Sequence, residues 1–96
     1  MKVSVIIPAY NEKDNVISLA RDIINKIDDV EIIIVDDSKE DNISSSIKKT
    51  DKIKHIFRGK KLGRGSAVIE GMDYLIKNTD TKIFIEMDAD YSHDPN

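Results

Sequence analysis

Four short runs rich in β-branched and other apolar residues limit what this chain can fold into. They are Val3–Ile7, Val30–Val35, Ile53–Phe57 and Ile83–Met87. Between them lie stretches with helical spacing. Val16, Leu19, Ala20, Ile23, Ile24 and Ile27 recur every three or four positions, as one buried helical stripe requires. Ala67, Val68, Met72, Leu75 and Ile76 predict a second stripe on a helix over Ser66–Asn78, and a weaker helical stretch surrounds Ile43 and Ile47. The order reads β-α-β-α-β-α-β. Strands this apolar are covered on both faces, so the sequence predicts an α/β fold with a mainly parallel sheet, crossover helices and a Rossmann-like half-sheet. Pro8 is expected to end the first strand, and Asn11 to cap the first helix.

A length of 96 residues allows one domain, and a small one. Fifteen basic against 18 acidic residues leave a net charge of −3, which excludes an electrostatic grip on bulk nucleic acid. The absence of cysteine removes disulfide scaffolds, zinc ribbons and thiol nucleophiles together. No apolar run approaches the roughly 18 residues that span a bilayer, and the N-terminus lacks a signal-peptide layout. The expectation is a soluble, cytoplasmic-type domain.

In an open α/β sheet, ligands bind at the carboxyl ends of the strands. Polar clusters occupy those ends here: Pro8 to Glu12, Asp36 to Ser38, Arg58 to Gly65, and Asp88 to Asp90. Like charges gathered at one edge call for a cation or a hydrogen-bonding ligand. Asp88 and Asp90 offer oxygen-only ligands suited to Mg²⁺ or Mn²⁺, or else form a turn at a strand end. Asp36-Asp37 suits a ribose hydroxyl or a base edge, and equally a cap for the next helix. Tyr10 can lie along a base and Glu12 accept from it, although Asn11-Glu12 also reads as an ordinary helix start.

Gly63-Arg64-Gly65 resembles a phosphate loop before a helix N-terminus, but alone it is better read as a tight turn. It is not a Walker A loop, and no dinucleotide fingerprint follows the first strand. Lys60, Lys61 and Arg64 read as partly solvated charges. No role is assigned to His55, and His93 reads as an exposed chain-end histidine.

Together these segments resemble the family 2 glycosyltransferases of GT-A fold. The nearest likeness is to the branch of dolichyl-phosphate mannose synthases and related polyprenyl-phosphate glycosyltransferases. The residues that carry it are Val3-Ser-Val-Ile-Ile-Pro-Ala-Tyr-Asn-Glu12, Ile34-Val-Asp-Asp-Ser38, Lys61-Leu-Gly-Arg-Gly-Ser-Ala67 with Gly71, and Met87-Asp-Ala-Asp-Tyr-Ser-His-Asp-Pro95. The likeness covers essentially the whole chain, and its order and spacing are specific. One departure is Asp41-Asn42-Ile43, where the family often has Asp-Gly-Thr; Asn tolerates the left-handed angles such a turn needs.

The resemblance implies that Pro8, Tyr10 and Glu12 line the nucleotide pocket, and that Val35 and Asp37 meet the base or its neighbourhood. It implies that Asp88 and Ala89 lie against ribose and diphosphate. Asp90 is implied as the direct metal ligand and catalytic residue, with Ser92 as a further ligand. The implied reaction moves a sugar, with inversion, from GDP-mannose or a UDP-sugar to a polyprenyl phosphate. In this family the acceptor half follows the metal motif, so residues 1–96 are expected to be the donor-binding half and inactive alone. A half-sheet leaves an edge uncovered, which invites pairing with a second copy. The complete protein is expected at the cytoplasmic membrane face.

Three other classes compete. A haloacid-dehalogenase-like phosphatase would use Asp88 as nucleophile and Asp90 as acid/base, but carries that motif on its first strand. A receiver domain would place its phosphorylated Asp after the third strand, where Arg58 stands. A non-catalytic nucleotide-binding module is the third.

Overall fold

The computed structural model describes residues 3–11, 13–40, 43, 45, 47 and 52–88. Its elements are β1 (Val3–Ala9), α1 (Lys13–Lys26), β2 (Val30–Asp36), β3 (Ile53–Phe57), α2 (Arg64–Asn78) and β4 (Ile83–Glu86). The four strands form one sheet in the order β3-β2-β1-β4, and every neighbouring pair is parallel. This is the Rossmann-like half-sheet that the apolar runs predict. Most of the expected middle helix lies outside the described residues. Ile43 is buried and Ile47 half-buried, both packed on the α1 side of the core.

The strand order explains why the helices take opposite faces. The β1-to-β2 connection travels one way along the sheet and the β3-to-β4 connection the other. Crossovers of one hand must then pass over opposite sides. On one face α1 seals Val16, Leu19, Ala20 and Ile23 against Val5, Ile7, Ile32 and Ile34. On the other α2 seals Ala67 and Leu75 against Ile6, Ile33 and Val35. Full burial of each large aliphatic side chain is worth about 2 kcal/mol, so β2, covered on both sides, anchors the fold.

Three expectations change. β1 does not stop before Pro8, which pairs with Val35 in the β1–β2 ladder. The interruption falls on the other side. Ile6 accepts from the Met87 N–H, and the next donor β1 could offer β4 would be that of Pro8, which has none. The β1–β4 ladder accordingly ends at Ile6–Glu86. Second, the buried stripe of α2 is Ala67, Gly71 and Leu75, whereas Met72 and Ile76 turn outward, 36% and 64% exposed. A Cβ on Gly71 would stand 2.8 Å from Ile6 Cγ2, so glycine sets the contact face and residues one position on rotate away. Third, Asn11 is not a helix cap. It has φ 54°, left-handed rather than the extended geometry of a cap, and precedes α1 by two residues.

Candidate functional site

The connection out of β1 runs toward β2, while the connection from β3 into β4 crosses to the other side of β1, so the gap beyond the carboxyl ends of β1 and β4 is the switch-point crevice of an open α/β sheet. Hydrogen bonds draw the neighbouring loops together there. The Asp37 N–H donates to the Ala9 carbonyl (2.9 Å) and the Asn11 N–H to Ser38 Oγ (2.7 Å), joining the ends of β1 and β2. Ser38 Oγ thus accepts from the segment that follows β1. The Ser38 N–H in turn donates to Asp36 Oδ1.

The β2 and β3 ends are joined by Arg58. Asp36 pairs with Phe57, which sets Asp37 beside Arg58 one step beyond the ladder. Arg58 Nε and Nη2 donate to the two oxygens of Asp37 at 2.5 and 2.9 Å. Both side chains are buried, 5% and 7% exposed. The remaining guanidinium N–H groups reach Ser66 Oγ (2.9 Å), Glu70 Oε1 (3.3 Å) and the Gly63 carbonyl (3.2 Å). All five donors of the guanidinium thus have acceptors. Leu62 N–H adds a bond to Asp37 Oδ2 at 2.9 Å.

Burial alone would raise the Asp37 carboxyl. The Arg58 hydrogen bonds, the Leu62 N–H, the Arg58 charge and the Gly63 N–H outweigh burial and hold it below the ordinary carboxylate range. Arg58 is raised, chiefly by its bond to Asp37. Gly63, at φ 101°, is the residue before α2; its backbone is one that L side chains rarely adopt, which explains the glycine in this loop.

The same loop reaches both strands at the switch point. Lys61 Nζ lies over the Tyr10 ring, 5.1 Å from its centre. Arg64, the first residue of α2, pairs with Glu86 at 2.5 Å and with Asp88. Segments following all four strands therefore meet at one edge. A groove of about 390 Å³ at the opposite ends of β2 and β3, lined by Asp29, Glu31, Lys52, Lys54 and Tyr74 among others, gathers none of them.

The residues singled out in the sequence fall as follows. Pro8 is half-buried within β1, and Tyr10 is exposed beyond its end. Val35 has its side chain fully buried beneath α2. Asp37 is buried in the clamp, and Asp88 lies half-buried beside Arg64. Glu12, Ala89, Asp90, Ser92 and His93 lie outside the described residues. Among the described residues no three metal-ligating side chains gather.

Nothing in the sequence alone marks Arg58 as a site residue. Its signal was available only with the register, which places an Asp and an Arg just past neighbouring strand ends. His55, assigned no role, has Nε2 3.1 Å from Asp36 Oδ2.

The sequence matches the family described as "Glycosyl transferase family 2" over residues 4–96. The chain belongs to glycosyl transferase family 2. Among its relatives is a protein of Pyrococcus furiosus named "Dolichol-phosphate mannosyltransferase". That protein is 39% identical over 100 residues, covering 99% of this chain and 27% of the relative. A "Polyprenol monophosphomannose synthase" of Mycolicibacterium smegmatis is 31% identical over 96 residues, covering 95% of this chain and 36% of the relative. The chain thus spans about a third of the length of these curated relatives. Membership of family 2 lends no support to the phosphatase reading. Among the described residues no helix is long and apolar enough to cross a membrane.

Proposed function

We propose that residues 1–96 form the nucleotide-sugar-binding half of a family 2 glycosyltransferase, and that the whole protein transfers a sugar to a polyprenyl phosphate. The donor is GDP-mannose or a UDP-sugar, and the names of the relatives favour mannose as the sugar. The observation that carries the reading is the meeting of the four strand-end segments at the switch point, with Asp37 locked by Arg58.

In this reading Tyr10 and Glu12 take the base, with Pro8 and the main chain of Val35 as the wall beside it. Asp37 presents a fixed, ionised carboxylate edge, because Arg58 and the Leu62 N–H hold it in one orientation. Asp88 and Ala89 lie against ribose and diphosphate. The residues also fit a divalent ion. The oxygens of Glu86 and Asp88 already converge on one cationic nitrogen, and hard oxygen donors suit Mg²⁺ or Mn²⁺. Asp88 and Asp90 would hold it, with Ser92 as a further ligand; when bound it offsets the charge of the departing nucleoside diphosphate.

The bond from the anomeric carbon to the diphosphate oxygen breaks as a bond to the acceptor phosphate oxygen forms on the opposite face. That acceptor is already ionised near neutral pH, so no base need remove a proton from it. The protein's share of the work is to orient the donor and to stabilise charge on the leaving group. The chain alone is expected to bind donor without turnover.

Calorimetric titration with GDP, UDP and their sugars, with and without Mn²⁺, tests the proposal. It expects Mn²⁺-dependent binding of one nucleoside diphosphate that is lost in Asp90→Ala. Absence of binding to either nucleotide under both conditions would contradict it.

A further inference from the structure

Arg64 is read from the sequence as a partly solvated loop charge, and it is half-exposed, yet the structure gives it a definite task. A single nitrogen, Nη2, serves both Glu86 Oε2 and Asp88 Oδ1. Glu86 is the last residue of β4, and Asp88 opens the Asp-x-Asp sequence two positions on. Arg64 comes from the other side of the crevice, on the first turn of α2. Two carboxylates brought this close repel each other, and the guanidinium between them offsets that repulsion.

We propose that Arg64 is a resident counter-cation of the Asp88 carboxylate: it holds that carboxylate in place before a divalent ion arrives and lowers the site's affinity for the free ion. The inference rests on the donor-site reading above, in which Asp88 serves the metal and diphosphate. An ion approaching Asp88 meets a positive charge already on the same oxygen. Two cations compete for one carboxylate, so their binding is negatively coupled, and the coupling is reciprocal. Arg64 is free to yield because half of its side chain is already in solvent and Glu86 remains a partner when Asp88 is surrendered.

The test is Mn²⁺ binding by the protein without nucleotide, read from the electron paramagnetic resonance signal of the free ion. Arg64→Gln removes the charge at nearly constant shape. It is expected to tighten Mn²⁺ binding by about five- to thirtyfold, within the range usual for coupled sites. Arg64→Lys keeps the charge and is expected to stay close to the parent. Far-UV circular dichroism of each variant confirms folding. Unchanged or weaker Mn²⁺ binding in Arg64→Gln overturns the inference, provided that Asp88→Asn still loses the ion. Mn²⁺ binding indifferent to Asp88→Asn overturns the metal-site reading and the inference with it, as does absence of Mn²⁺ binding in every variant.

Discussion

At the residue scale, Asp37 and Arg58 bear most of the order at the site. Each is nearly inaccessible to water, and each satisfies the other with two bonds. Removing one partner of such a pair strands a buried charge, which costs about 3 kcal/mol. Arg58→Ala should therefore lower unfolding stability in urea by about that amount. It should also weaken nucleotide binding, because Asp37 and the Leu62 loop lose their common anchor. A loss under about 1 kcal/mol would show that the pair is dispensable.

The pair also sets an acid response. The folded pKa of Asp37 is depressed relative to an unfolded value of about 3.9. Its contribution to stability is thus fully present above about pH 4 and is lost as pH falls through the folded value. Thermal melts between about pH 5 and pH 2 should fall less steeply for Asp37→Asn than for the parent chain. That variant should be the less stable of the two at neutral pH.

At the element scale, α2 lies close to β1 because Gly71 faces Ile6, an almost fully buried side chain with no room to retreat. Gly71→Ala gains helix propensity but overpacks this contact, with an expected net loss of about 1 to 2 kcal/mol. Chemical denaturation measures it, and an increase in stability would show that the helix can move outward freely.

This glycine also shows where sequence reading stops. The strands were legible because β-branched runs covered on both faces leave little alternative. The α1 stripe was legible because its isoleucines, leucine and valine carry the period themselves. The α2 stripe was not, because its middle contact is a glycine with no side chain to count. Pro8 reads as a strand end because it lacks a donor, and only the register shows that β4, not β2, is the neighbour that donor would have served. The acidic strand ends could be recognised by position, whereas the partners Arg58 and Arg64 depend on register and loop path, which no local pattern encodes.

At the scale of the whole molecule, the sheet has two edges, β3 and β4. The β4 edge carries Ile83 and Ile85, each about two-fifths exposed. The other large exposed apolar side chains include Ile69, Met72 and Ile76 of α2. The carboxyl edge differs in kind: it is polar, cross-linked and charged with both signs. The division suits a donor-binding half whose chemistry lies along one rim. The central claim is that the four strand-end segments form a single nucleotide site there. Paramagnetic broadening of backbone amide signals by Mn²⁺–GDP tests it most directly. The account predicts selective loss of the Asn11, Ser38, Leu62 and Asp88 signals, while Asp29, Lys52 and Thr79 at the far end persist. Broadening centred on the far end, or spread evenly over the chain, would contradict it.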